Sequence, residues 1–212
     1  MWPTSQYAWY YGNYPTFPLV EAGGCNFEQI NAPNNDEMVR WSLYRAVQAG
    51  SFGAGYGAHG IWNMVWDNND TADDNGYQHR NWFEAIDYAG GFQMRHLRIF
   101  YTGLPWHELV PRRTGWATWS LIQSEFQMPV LKASQGGRAV TVFFPAGYNT
   151  KGPTGTLHNL TAARYTAKWF NPRIGAYIPI STSITPTKGN WVVPQKPQIS
   201  DWLLQVVANG TP

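Results

Sequence analysis

The chain has 212 residues, of which 16% are aromatic and 13% charged, and its formal net charge is +2. This length allows one or two domains with a buried core, and the richness in aromatic residues excludes a disordered chain. The small net charge without a basic run predicts no nucleic-acid partner, and without an apolar stretch of about 18 residues we expect no membrane span. The N-terminus has neither a basic start nor an apolar run, so we expect no signal peptide in this chain.

The two halves of the sequence follow different patterns. Residues 1–127 mix short apolar runs with helical periodicity, whereas residues 128–212 form short alternating segments separated by Gly, Pro and Asn. We therefore predict an α/β domain over 1–127 and a small antiparallel β-sandwich over 128–212.

The first half reads as a strand, a helix and a second strand. Residues 17–20 form an apolar run that ends at Glu21, and residues 51–56 form a second, Gly-rich strand. Between them a helix is predicted over 36–49, with Asn35 as its cap and Gly50 at its end. This order fits a buried parallel strand pair joined by a crossover helix.

The rest of the first half is predicted as a long polar loop over 57–80 and two helices near 81–89 and 91–102. Leu97, Phe100 and Tyr101 form an apolar stripe on the last helix.

Two groups of residues are candidates for chemistry. Glu21 follows a buried strand, where a partly desolvated carboxylate on a rigid element suits nucleophilic or acid–base work. The alternative is a loop carboxylate that caps a helix or pairs with an Arg. The second group lies in a Gly-rich segment and consists of Tyr56, His59 and Trp62. Their side chains have flat faces and polar tips, which suit the binding of a sugar ring. The alternative is that these side chains pack in the core.

The sequence predicts no metal ion and no cofactor. The acidic segment 67–76 fails the EF-hand spacing, and His79, His96, His107 and His158 form no zinc motif. Cys25 is the only cysteine and is interpreted as a small buried residue, although a catalytic thiol with a distant base stays open.

The second half is predicted to be structural. Strands are expected over 139–144, 164–170, 176–180 and 202–207, with Trp169 and Trp202 in the core. From residue 128 onward Asp201 is the only acidic residue, and one carboxylate cannot act as both the acid and the base of a reaction.

The chain resembles the C-terminal part of the apiosidase-like glycoside hydrolases. In the first half the resemblance lies in Phe17-Pro-Leu-Val-Glu21, Val39-Arg40, Gly53-Ala-Gly-Tyr-Gly-Ala-His-Gly-Ile-Trp62, Met94-Arg-His-Leu-Arg98 and Leu104-Pro-Trp-His-Glu-Leu-Val-Pro111. In the second half it lies in Val142-Phe-Phe-Pro-Ala-Gly147, Ala167-Lys-Trp-Phe-Asn-Pro-Arg-Ile-Gly175 and Asp201-Trp-Leu-Leu204.

This resemblance implies a (β/α)8 (TIM) barrel followed by a small β-domain labelled as collagen-binding, a label that no feature of this sequence supports. It implies that Glu21 is the strand-7 nucleophile of a retaining hydrolase acting on complex polysaccharide, and that Glu28 follows it in the site. Tyr56, His59 and Trp62, with Trp66 beyond them, would form the strand-8 wall that binds the substrate.

A complete barrel takes about 250 residues, so residues 1–127 leave room for two strand–helix units. We therefore expect a fragment of a longer protein, or a remnant that has lost catalysis, and an acid/base carboxylate that is absent from this chain. The expected partners are a polysaccharide or oligosaccharide and the N-terminal half of the barrel, and the resemblance implies an extracellular or periplasmic location. The alternative function is a non-catalytic carbohydrate-binding or structural module.

Overall fold

The computed structural model describes residues 9, 11–13, 20–21, 27–29, 35–66 and 81–210. Besides the helical residues 9 and 11–13, the described residues up to 108 include four short strands, three helices and a 3-10 turn. They are β1 (Val20–Glu21), β2 (Phe27–Glu28), α1 (Asp36–Gln48), β3 (Gly53–Ala54), β4 (Gly57–Ala58), α2 (Trp82–Ala85), α3 (Ala89–Thr102) and the 3-10 turn Trp106–Glu108.

Helix α1 begins and ends where the sequence predicts. The side chain of Asn35 accepts a hydrogen bond from the Met38 N–H at 3.2 Å, which satisfies one of the free amides of the first turn. Gly50 follows the helix with a φ of 120°, a conformation that L side chains rarely adopt. Both boundary signals of this helix are therefore confirmed.

The predicted parallel strand pair with a crossover helix is also confirmed. β1 pairs with β3, so that Glu21 lies opposite Ala54, and β2 pairs with β4, so that Glu28 lies opposite Ala58; both pairs are parallel. The predicted strand over 51–56 is wrong in extent, because the pairing with β1 covers only Gly53–Ala54 and the chain pairs next with β2, at Gly57–Ala58. Tyr56 lies between these two paired segments.

The predicted helix over 81–89 is shorter than expected. It is the single turn α2, and Tyr88 begins α3 as its N-cap. On α3, Phe100 and Tyr101 are buried and Leu97 packs against the same cluster, as the apolar stripe predicts.

From residue 110 onward the described residues form antiparallel sheets. The strands are β5 (Val110–Arg112), β6 (Ala117–Trp119), β7 (Val130–Ala133), β8 (Ala139–Phe144), β9 (Gly155–Leu157), β10 (Tyr165–Asn171), β11 (Ala176–Ile184), β12 (Trp191–Val193) and β13 (Trp202–Ala208). Six of them form a sheet in the order β11-β10-β13-β8-β7-β5, and three form a second sheet in the order β12-β9-β6. The predicted strands at 139–144, 164–170 and 202–207 are confirmed as β8, β10 and β13, and β11 extends beyond the predicted 176–180.

One apolar core is shared by the two sheets. Leu157 and Val193 of the three-stranded sheet belong to the same buried cluster as Val142 and Leu204 of the six-stranded sheet. Trp169 and Trp202 are 3% and 1% exposed. Their prediction as core residues is confirmed.

The first half packs on the opposite face of the six-stranded sheet. Tyr44 of α1 stacks on Phe143 of β8 with ring centroids 5.6 Å apart, and Phe100 of α3 contacts Phe170 of β10 at 5.1 Å. Alternating side chains along β8 and β10 thus serve two different cores. β5 and β6 join the sheets although both precede residue 127.

Candidate functional site

Glu21 occupies the second and last residue of β1. Its backbone lies in parallel register with Ala54, at the end of a strand that leads into β2 through residues outside the described part. The side chain of Glu21 also lies outside what the structure describes, so its role as the nucleophile stays a prediction.

Glu28 is a buried carboxylate at the start of α3. It is 3% exposed, and its Oε2 accepts hydrogen bonds from the Tyr56 hydroxyl and from the Gly90 N–H, both at 2.9 Å. Burial raises the pKa of Glu28, and the two hydrogen bonds oppose that rise only in part. Burial and the neighbouring Glu28 together raise the pKa of Tyr56, so the phenol keeps its proton and acts as the donor.

Two consecutive glycines make this contact possible. A Cβ at Gly90 would overlap the Glu28 Oε2, and one at Gly91 would lie 3.2 Å from the Tyr56 ring. The carboxylate reaches the first turn of α3, where free amides and the helix dipole favour negative charge. Sequence reasoning missed this role of Gly90, although two glycines at the start of a predicted helix are a signal of close approach.

His59 joins the same group through its backbone. Its N–H donates to the Glu28 carbonyl at 2.9 Å, and its fully buried ring lies with Nδ1 3.5 Å from the Asn63 side-chain nitrogen. The Trp62 ring lies 6.0 Å from the imidazole and is exposed. The structure thus brings Glu28, Tyr56 and His59 together, with Trp62 at the edge of the group.

A second group of aromatic rings, here called the aromatic shelf, consists of Trp66, Trp82 and Phe83. Trp66 is 68% exposed, and its ring centroid lies 6.2 Å from that of Trp82 and 6.4 Å from that of Phe83. The ring centroids of Trp82 and Phe83 lie 3.7 Å apart in a stacked arrangement, and the backbone N–H of Trp82 donates to the Val65 carbonyl. Sequence analysis selected Trp66 alone; adjacent aromatic residues directly after the Asn81 cap were the available signal.

Among the residues that the structure describes, no group of three His, Cys, Asp or Glu side chains could hold a metal ion. The acidic segment 67–76 and Cys25 lie outside these residues. No helix within the described ranges is long and apolar enough to cross a bilayer.

Comparison with known proteins assigns both halves of the chain. Residues 11–108 match the family model "Apiosidase-like, catalytic domain", and residues 122–207 match "Putative collagen-binding domain of a collagenase". A search of curated proteins found no match.

Two solved structures share the fold. One, described as "Glycoside hydrolase", is 19% identical with a TM-score of 0.71, and the match covers 94% of this chain and 44% of that one. The other is a glycoside hydrolase family 5 protein from Bacteroides vulgatus, 20% identical with a TM-score of 0.66, and the match covers 87% of this chain and 40% of that one. The chain therefore spans less than half the length of these two structures. Residues 11–108 are thus similar to the apiosidase-like catalytic domain and residues 122–207 to a domain of the collagen-binding type, and the fold is that of glycoside hydrolases of known structure.

Proposed function

We propose that this chain is part of a retaining glycoside hydrolase that acts on complex polysaccharide. The observation that carries the proposal is the parallel pairing of β1 with β3 and of β2 with β4 inside a segment that matches a catalytic-domain model. Glu21 and Glu28 are the last residues of two of these strands, and in barrels of parallel strands the chemistry lies at the carboxyl ends. The chain would then carry the C-terminal portion of a (β/α)8 barrel, followed by a β-sandwich.

In this mechanism Glu21 is the nucleophile. Its carboxylate attacks the anomeric carbon while a second carboxylic acid protonates the departing oxygen, which gives a glycosyl ester on Glu21. The second carboxylate then removes a proton from water, and that water cleaves the ester with net retention of configuration. In retaining enzymes the two carboxyl groups stand about 5–5.5 Å apart. We assign the second one to the part of the barrel that this chain does not contain.

The group around Glu28 would form the wall of the sugar site. Because Glu28 is buried and accepts the Tyr56 hydrogen bond, it would fix the phenol ring and the turn that carries His59. Tyr56, Trp62 and the exposed Trp66 would then present flat faces to the C–H side of a sugar ring. An extracellular or periplasmic location belongs to the same proposal, since a polysaccharide is met there.

The test uses the full-length parent protein. Glu21→Gln removes the nucleophile and keeps the side-chain shape, so turnover of aryl glycosides and polysaccharide should fall by roughly a thousandfold or more while sugar binding persists. Glu37→Gln, on the exposed side of α1, is the matched control and should keep full turnover. Proton NMR of the first-formed product reports retention or inversion. Unchanged turnover in Glu21→Gln, or an inverted product, would contradict the assignment.

The second candidate function is a non-catalytic carbohydrate-binding module, and the aromatic shelf favours it. Exposed Trp66 and Phe83 form a platform on which a sugar can stack without any bond being broken. Turnover and sugar-binding assays of the full-length parent protein separate the two functions, because a purely binding protein retains sugar without cleaving it.

A further inference from the structure

A cationic cleft lies beside the edge strand β5, at the segment that leads into β7. Its volume is about 250 Å³, and its lining includes Arg45, Arg112, Arg113, Trp119 and Glu125. Three guanidinium groups against one carboxylate give the cleft an excess of positive charge.

The arginines have different tasks. Arg45 is buried, and it donates to the carbonyl of Met128 at 2.9 Å and to that of Glu125 at 2.6 Å. It therefore holds the segment before β7 in place and forms a wall of the cleft.

Arg112 and Arg113 are the arginines of the cleft that are available to bind an anion. Within the described residues neither forms an ion pair, and the Arg112 Nε is enclosed without a hydrogen-bond acceptor. The Arg112 guanidinium lies over the Trp116 ring at 4.9 Å, which fixes its plane. A planar guanidinium held in this way suits bidentate recognition of a carboxylate.

Arg112 also lines a second cleft of about 460 Å³, together with Arg138, Gln135 and Glu108, so that two guanidinium groups face one carboxylate there. The two clefts follow β5, whose outer edge pairs with no strand of the six-stranded sheet. A chain molecule with repeated anionic groups could place one residue in each cleft.

We propose that this pair of clefts binds an acidic polysaccharide through the carboxylate of a hexuronate ring, with Arg112 as the central contact. The smaller cleft has the size of one pyranose ring, and Trp119 supplies an apolar wall of the kind that sugar rings use. The indole ring of Trp119 favours a sugar over an acidic peptide, because binding an acidic peptide requires only the positive charge of the cleft. This inference rests on the proposed function in one respect only, namely that the ligand is a carbohydrate.

The experiment is a titration of the 212-residue chain with trigalacturonate, followed by amide chemical shifts and calorimetry. We expect shifts at β5 and at residues 116–119, saturable binding, and at least tenfold weaker binding of the carboxyl-reduced neutral trisaccharide. Arg112→Gln should weaken trigalacturonate binding at least tenfold, and Arg112→Lys should restore little of it because an ammonium cannot bind in a bidentate manner. Arg164→Gln, at an exposed arginine outside both clefts, is the matched control and should bind as the parent chain does.

Three results would overturn the proposal. They are equal binding of the neutral trisaccharide, binding of a hexaglutamate peptide in preference to trigalacturonate, or Arg112→Gln binding as tightly as the Arg164→Gln control. Far-ultraviolet circular dichroism and the melting temperature establish that all three variants are folded. A failure of the glycosidase proposal can be told apart from a failure of this one. It would appear as unchanged turnover in Glu21→Gln, and it would not alter the result of this titration.

Discussion

Lys132 is a buried cation inside the six-stranded sheet. It is 9% exposed and lies in register with Pro111 of β5 and Thr141 of β8. No carboxylate of the described residues forms an ion pair with it, and burial lowers its pKa from 10.5 to about 8. The folded protein therefore binds this proton less well than the unfolded chain does.

This difference predicts how stability depends on pH. Between about pH 8 and pH 10.5 the unfolded chain keeps the Lys132 proton while the folded protein loses it, so stability should rise with pH across that window. Lys132→Met should add about 2–3 kcal/mol to the free energy of unfolding at neutral pH and flatten the rise. Urea unfolding at a series of pH values measures both, with the exposed Lys151→Met as control. An unchanged slope in Lys132→Met would contradict this account.

The hydrogen bonds of Glu28 predict a contrast between two substitutions. Glu28→Gln keeps an oxygen that accepts from Tyr56 and Gly90 and removes the charge that burial disfavours, so folding should be retained. Glu28→Ala leaves a buried hydroxyl and an amide without their acceptor, and should cost about 1–3 kcal/mol.

The contribution of Glu28 to stability depends on pH in the opposite direction from that of an ion-paired surface carboxylate, whose contribution grows as the pH rises. The folded pKa of Glu28 is raised from 4.5, so its contribution to stability should fall as the pH rises from 4.5 through the folded pKa. Glu28→Gln should lack this fall in urea unfolding between about pH 4 and pH 7. Equal stability of the Gln and Ala variants would show that the hydrogen bonds contribute nothing.

At the scale of the element, strand β10 faces two cores. Trp169 belongs to the core between the sheets, and the adjacent Phe170 packs against α3 through Phe100. The Trp169 ring contacts Phe144 of β8 with centroids 5.5 Å apart. Because both faces of the strand are covered by packed side chains, the neighbours of Trp169 are held in place and cannot move into the space that a smaller side chain would leave.

Trp169→Ala should therefore cost about 3–5 kcal/mol of stability through the cavity that it leaves. Thermal and urea unfolding measure the loss, and Trp106→Ala, at a half-exposed position in the 3-10 turn, should change stability much less. A Trp169→Ala protein with full thermal stability and lost retention on a polysaccharide gel would instead assign a binding role to this ring.

At the scale of the whole molecule, one buried ion network joins the two halves. Asp201, at the start of β13, accepts from the Arg40 Nε at 2.8 Å and from the Arg173 Nη1 at 3.0 Å. Arg40 of α1 also pairs with Asp36, which accepts a further hydrogen bond from Gln93 of α3. The only acidic residue beyond position 128 is thus a link between domains.

Breaking this network should destabilise both halves together. Asp201→Asn leaves the partly buried Arg173 without its counter-charge and the buried Arg40 with only the more exposed Asp36, and it should cost about 3 kcal/mol. Asp36→Asn, at a more exposed carboxylate, should cost less. Tryptophan fluorescence and circular dichroism should report one unfolding transition in the parent chain, shifted as a whole in Asp201→Asn. Separate transitions of the two halves would contradict a coupling role.

Asp36 adds an acid-dependent component to the same network. Burial raises its pKa, but the hydrogen bonds from Arg40 and Gln93 outweigh that effect and lower it overall. Its contribution is present above the unfolded pKa of 3.8 and is lost as the pH falls through the folded pKa.

Local sequence determined the elements whose signals are local. Helix α1 is predicted from its own residues alone. Asn35 marks its beginning, Gly50 marks its end, and Val39, Leu43 and Val47 recur at helical spacing between them. The nearly continuous apolar runs in residues 139–144 and 202–207 likewise predicted β8 and β13, because both faces of each strand are buried. The motifs of both halves were sufficient to predict the resemblance that the two family models report.

Only the tertiary structure decided what the charged and polar residues do. Nothing in the spacing of Glu28, Tyr56 and Gly90 predicts that they meet, because their contact depends on the packing of α3 against the parallel strands. Asp201 and Arg40 are 161 residues apart, so their ion pair depends on how the helices pack on the sheet. Patterns of apolar residues follow the period of one element, whereas a polar contact across the molecule requires the positions of two elements, and that information exists only in the folded chain.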